Sequence, residues 1–142
     1  MILSKEIAVC LNLAACKLKQ YTASMLKKYG VDLTPEQFLL IDLLWNQGTM
    51  TQQNVADTMH KDKNSVTKLV DALEQKDLVV RQKGESDRRE NILVLTPKAI
   101  EMKESAKETG ISILEDMIHD ISEDELKSFL STLGKLTSNM DR

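Results

Sequence analysis

Between His60 and Arg89 the chain gathers side chains suited to a polyanion: Lys61, Asn64, Ser65, Thr67 and Lys68, then Lys83, Arg88 and Arg89. Lysine and arginine neutralise phosphates and release their condensed counterions. Asn64 has the donor–acceptor pair that matches adenine N6 and N7, and Lys68 can donate to guanine O6 or N7. Ser65 and Thr67 are short donors suited to phosphate oxygens, and Gln53, a little upstream, can touch the same backbone. Arginine also suits a minor groove, whose negative potential deepens over A·T tracts. Enzymatic chemistry has no such footing. His60 and His119 are the only histidines, at no metal-ligand spacing to each other or to the cysteines, and no glycine-rich phosphate loop, nucleophile elbow or zinc-helix motif occurs. Catalysis is rejected, and neither a cofactor nor a metal is expected.

Net charge is −3 over 142 residues, which alone argues against a nucleic-acid partner. Its distribution argues the other way. From His60 to Arg89 eight basic side chains oppose six acidic ones, whereas from Ala99 to Arg142 five oppose ten. Positive charge is therefore gathered around the candidate contacts and negative charge at the far end.

The elements that must position these residues run from Met50 to Thr96. A short helix starting at Thr51 places Val55, Ala56 and Met59 on one face. After a turn at His60–Lys61, Asp62 can cap a second helix, Lys63 to Lys76, in which Val66, Leu69, Val70 and Leu73 form one apolar stripe. The opposite face carries Lys61, Asn64, Lys68, Asp71 and Gln75, with Ser65 and Thr67 on its flanks. Two helices joined in this way make a helix-turn-helix, whose second helix enters a major groove. Strands Leu78–Lys83 and Asn91–Thr96 flank the polar loop 84–90 and make a wing.

The segment Met59 to Lys98 resembles the winged helix of the MarR (multiple antibiotic resistance regulator) family. Its wing signature appears as Asp87-x-Arg89-x-x-x-Leu93-x-Leu95-Thr96, followed by Pro97-Lys98, and Ser65 to Glu74 matches the family's recognition helix. Asp77 stands where the family usually has glycine. The resemblance implies that Arg89 reaches the minor groove while Asp87 helps orient the wing, with Arg88 a neighbouring candidate. It also implies a homodimer on double-stranded DNA at a palindromic operator, repressing transcription until a small aromatic or phenolic effector relieves it. One branch of the family senses peroxides through a cysteine early in its first helix, so Cys10 carries an alternative, redox-sensing reading.

The remaining chain is helical. Ile7, Cys10, Leu11, Ala14, Leu18 and Tyr21 make a stripe on a helix from Ser4 to Tyr29, broad enough to need two partners. Thr34-Pro35-Glu36-Gln37 is a helix start with a capping box. Phe38 to Trp45 should then be the most buried helix, with Trp45 in the core. A long helix from Pro97 to about His119 is interrupted at Gly110, where a bend is expected. Ser122-x-x-Glu125 opens a last helix carrying Leu126, Phe129, Leu130 and Leu133. These terminal stripes need cover, which a two-fold homodimer supplies, with Ile7, Leu11 and the last-helix apolar residues as its contacts.

The expected fold is therefore mainly α (α+β), a single domain over 1–142. Residues 31–98 form the winged helix-turn-helix lobe, and 1–30 with 99–142 the dimerisation region. Cys10 and Cys16 lie too far along one helix to pair, which is consistent with a reducing compartment. An apolar setting makes Cys10 a buried structural thiol in this reading. No apolar run reaches the ~20 residues of a membrane span and no export signal is visible, so the cytoplasm is expected.

Overall fold

A computed structural model describes residues 2–142. The chain divides into two compact units, Met1–Gly110 and Ile111–Arg142. The architecture is mainly helical with one small antiparallel sheet, a winged helix-turn-helix flanked by terminal helices. Among the described residues no helix is long and apolar enough to cross a membrane.

In the first unit, α1 (Leu3–Lys28) leads to α2 (Pro35–Gln47). The start of α2 is set by its own sequence: Thr34 Oγ1 accepts from the Gln37 backbone N–H at 3.2 Å, and Gln37 Oε1 accepts from that of Thr34 at 3.1 Å. Two of the first-turn donors that a helix leaves unpaired are thus satisfied. Leu40, Ile41 and Leu44 of α2 are essentially inaccessible, so each contributes on the order of 1.5–3 kcal/mol of burial. Trp45 lies edge-on to Phe38 and donates its indole N–H to the Ala99 carbonyl at 3.0 Å. That bond ties α2 to the start of the helix that follows the wing.

The helix-turn-helix is α3 (Gln52–Met59) and α4 (Lys63–Gln75), capped by Thr51 and Asp62. His60 closes α3 in a left-handed conformation, and Asp77 turns the chain out of α4 in the same region, at φ 53 and 59°. Aspartate tolerates that region better than most side chains do, so it can stand where glycine would be easier. Val66, Val70 and Leu73 of α4 are fully buried against α2, α3 and the sheet, and Leu69 is partly buried beside them.

The sheet holds a strand that the residue pattern does not signal. Beside the expected hairpin of β2 (Val79–Lys83) and β3 (Asn91–Leu95) lies β1 (Met50–Thr51), giving the order β1-β3-β2. Two residues are too few for any alternation to be read; β1 exists because Met50 and Thr51 fall opposite Leu93 and Ile92. Leu93, central in β3, is fully buried.

Thr96 ends the sheet and starts the next helix. Its hydroxyl donates to the Asp77 carbonyl at 2.7 Å and accepts from the Ala99 N–H at 3.2 Å. The expected long helix then breaks at Met102, between α5 (Pro97–Glu101) and α6 (Lys103–Met117), and not at Gly110. Gly110 is helical; a Cβ there would meet Phe38 Cζ at 3.1 Å, so its small size serves close packing. In the second unit, α7 (Glu123–Met140) starts at Ser122, which accepts from the Glu125 N–H at 3.2 Å. The expected box is only half formed, because Glu125 accepts from the Ser122 hydroxyl and not from its N–H.

Replacing Thr96 by valine keeps the shape but strands the Asp77 carbonyl and the Ala99 N–H. Thr96→Val should lower unfolding stability by about 1–3 kcal/mol in urea titration.

Candidate nucleic-acid interface

The outward face of α4 carries Asn64, Lys68, Asp71 and Gln75, all exposed, directly opposite the buried stripe. Lys63 at the first position of α4 and Lys83 at the end of β2 are exposed as well, as is Arg88 at the wing tip. Among the described residues none of Lys63, Lys68, Lys83 and Arg88 makes a salt bridge. A groove of about 390 Å³ separates the helices from the wing, bounded by Gln52, Gln53 and Lys63 on one side and by Asp87, Arg89 and Asn91 on the other. Lys63 has no place among the sequence-derived candidates, although its position directly after the Asp62 cap puts it at the mouth of this groove.

The wing tip is pinched shut. The Gly84 N–H donates to the Glu90 carbonyl and the Glu90 N–H to the Asp87 carbonyl, both at 3.1 Å. A Cβ on Gly84 would lie 2.5 Å from the Asp87 carbonyl oxygen, so glycine is required for this close approach. Within the tip, Asp87 Oδ1 accepts from the Arg89 backbone N–H at 2.9 Å and from its Nε at 3.2 Å, and Oδ2 accepts from Nη2 at 3.3 Å. The Arg89 side chain remains 92% exposed, held in one direction without being covered. Its guanidinium, and then its backbone N–H, hold the Asp87 carboxyl below the ordinary carboxylate range.

Three of the basic residues are consumed internally. Helical spacing puts Lys61 with Asn64 and Lys68 on the recognition helix, but it lies in the turn before the Asp62 cap and pairs with Glu36 at 3.0 Å. Lys76, the C-cap of α4, donates to the Asp32 carbonyl and to Gln37 Oε1, both at 2.8 Å. Arg81 turns inward from β2 and pairs with Asp71 at 2.8 Å and with Glu74.

The two short hydroxyls are committed too. Ser65 donates its hydroxyl to the Asp62 carboxylate that caps α4, and this bond is the main reason the Asp62 carboxyl titrates low. Thr67 donates to the Lys63 carbonyl at 3.0 Å while accepting from Gln52 Nε2 at 2.9 Å. Neither keeps a proton for a phosphate oxygen, contrary to the expectation from residue type. Gln53 is exposed and donates to Asp57 one turn along α3 at 3.0 Å.

The candidate dimer contacts divide by exposure: Ile7, Leu11, Leu126 and Leu133 are half-buried, whereas Phe129 and Leu130 are exposed. Cys10 and Cys16 are both free and exposed, so the expected burial of Cys10 is not found within the chain. A second concavity of about 470 Å³ lies where α1 gives way to α2, lined by Ala23, Lys27, Val31, Leu33, Pro35 and Lys76, among others.

Comparison with known proteins agrees with this geometry. The sequence model of the MarR family matches residues 33–91. Among relatives, the HTH-type transcriptional regulator MhqR of Bacillus subtilis is 26% identical over 136 residues, covering 96% of this chain and 92% of its own. The S. aureus MepR–DNA complex superposes with a TM-score of 0.81 at 23% identity, over 93% of this chain and 96% of MepR. Bordetella bronchiseptica BpsR, solved in a study of how 6-hydroxynicotinic acid regulates its DNA binding, gives 0.83 at 19% identity, with 96% of both chains covered. At these identities the superpositions speak for the fold.

Glu36 accepts from both Lys19 of α1 and Lys61 of the turn, and those two bonds, Lys19 first, hold its carboxyl below the ordinary glutamate range. A depressed folded value means stabilisation that is present at neutral pH and lost as pH falls through it, from about pH 4.3 downward. Glu36→Gln should therefore flatten the acid limb of stability against pH, read as the urea midpoint at successive pH values.

Proposed function

We propose that the chain is a transcriptional regulator of the MarR family, a cytoplasmic homodimer that binds a palindromic operator in double-stranded DNA and represses transcription, as the match to the MarR model and to regulators such as MhqR supports. The observation that carries this reading is the cationic edge formed by Lys63 and Lys68 of α4 with Lys83 and Arg88 of the wing, none of them in a salt bridge among the described residues, beside the exposed Arg89 that Asp87 holds. The helix enters a major groove, where Asn64 and Lys68 read base edges, and Arg89, aimed by Asp87, enters the flanking minor groove. Gln53 and Lys63 meet the phosphate backbone. The match to the MarR model and to HTH-type regulators also argues for a regulator and against an enzyme.

The uncovered terminal helices support two-fold pairing. α7 buries none of its residues within the chain and α1 buries only Leu26. Isologous pairing through Ile7, Leu11, Leu126, Phe129, Leu130 and Leu133 covers these stripes and presents two α4 helices to half-sites about one turn, ~10 bp, apart. The effector is a small aromatic or phenolic molecule, by analogy with the regulation of BpsR by 6-hydroxynicotinic acid. The concavity between α1 and α2, with Lys27 and Lys76 beside Val31 and Leu33, has a volume that suits such a ligand. A coupling of about 1–3 kcal/mol between ligand and reading head is enough to empty the operator. In a second reading, oxidation of the Cys10 thiol by a peroxide replaces the ligand; the thiol is exposed in the single chain and lies in the stripe that pairing covers, so its oxidation acts on the dimer contact.

The test is electrophoretic retardation of the DNA upstream of the gene at two salt concentrations. Binding should weaken steeply with salt yet withstand excess unrelated competitor, and Arg89→Ala should weaken it at least about tenfold with an unchanged melting temperature. Unaltered affinity in that variant removes the wing from the mechanism. Leu130→Asp should convert the protein to monomers in sedimentation equilibrium and abolish palindrome binding; a dimeric variant places the interface elsewhere.

A further inference from the structure

Arg81 lies on the wing and has the charge for a phosphate, but its side chain is bonded to the helices. Its side chain is about one-fifth exposed and reaches two helices, α3 and α4. Nε donates to Gln52 Oε1 of α3 at 3.2 Å, and Nη2 donates to the Thr67 carbonyl of α4 at 3.1 Å. Nη2 also pairs with Asp71 at 2.8 Å and Nη1 with Glu74, one turn further along the same helix. Gln52 in turn donates to the Thr67 hydroxyl, so its amide is committed at both ends. Among the described residues no other side chain of β2 or β3 makes a salt bridge to the helix-turn-helix.

We infer that Arg81 is a positioning residue: it fixes the angle between the wing and the recognition helix, so that Arg89 meets the minor groove while α4 occupies the major groove. Only a planar guanidinium can serve this arrangement. Its five donors point along fixed directions, and here they are distributed over an amide, a backbone carbonyl and two carboxylates. A lysine at 81 keeps the charge but offers one point donor, which can satisfy a carboxylate and cannot brace the strand against two helices. With the brace gone, the hairpin keeps its own ladder from Val79–Leu95 to Lys83–Asn91 and the fold remains, but the tip samples a range of directions relative to α4. Arg89 then pays an ordering cost on binding that cancels much of what it gains.

This inference rests on the DNA-binding reading above, and a double-mutant cycle separates the two. A duplex selected from a random pool by the unmodified protein serves as the probe. Its affinity is measured for the parent, R89A, R81K and R81K/R89A, with melting temperatures alongside. If Arg81 aims the wing, R89A costs at least about tenfold in the parent and less than about threefold in the R81K background. If Arg81 only stabilises the fold, R89A costs the same factor in both backgrounds, and the inference is overturned. Should R81K fail to fold, D71A/E74A removes both carboxylate arms of the brace from two solvent-facing positions of α4, and the same contrast is read there. Selection of no duplex by the parent sinks the DNA-binding reading itself. A parent in which R89A costs nothing leaves DNA binding standing but overturns the wing's role, and the inference with it.

Discussion

An outward-reading helix depends on how firmly its other side is held. In α4 that hold is apolar: Val66, Val70 and Leu73 are sealed between α2, α3 and the sheet, where Leu93 completes the contact. Burying such side chains is worth about 1.5–3 kcal/mol each, together comparable to the net stability of a domain. Asn64, Lys68 and Gln75 can therefore stay in water without loosening the helix. The caps extend the same economy to the ends of α4. Asp62 satisfies the first turn, and Lys76 is fastened to the loop before α2.

Electrostatics divides the basic residues into two populations that their letters do not distinguish. Lys61, Lys76 and Arg81 are neutralised by Glu36, Asp32, Asp71 and Glu74, and they knit the loops, the turn and the wing to the helices. Lys63, Lys68, Lys83 and Arg88 have no such partners among the described residues and project a positive edge from an acidic chain. Partly covered pairs orient their members, whereas solvent-facing cations contribute mainly long-range attraction, which salt weakens.

Much of what neighbours in the chain encode was legible from the residues alone. The Thr34–Gln37 box, the Asp62 cap, the stripe of α4 and the left-handed Asp77 all rest on interactions within a few positions. What escaped depends on partners far along the chain. The strand at Met50–Thr51 exists because β3 passes beside it, and Lys61 is withdrawn from the recognition helix because Glu36 waits across the fold. Ser65 and Thr67 have the right chemistry for phosphate, yet local bonds to Asp62 and Lys63 claim their protons first. The helix break at Met102 was unexpected for a related reason, since Gly110 is small to make room for Phe38. Cys10 was expected in the core because its neighbours are apolar, but a stripe does not say whether its own chain supplies the cover.

The pinch at Gly84 separates the outline of the wing from its lettering. Glu85, Ser86 and Arg88 hang from a neck closed by main-chain bonds, so they can be exchanged without redrawing the hairpin. The tip can thus drift in size and charge from one lineage to another, while position 84 admits no alternative residue.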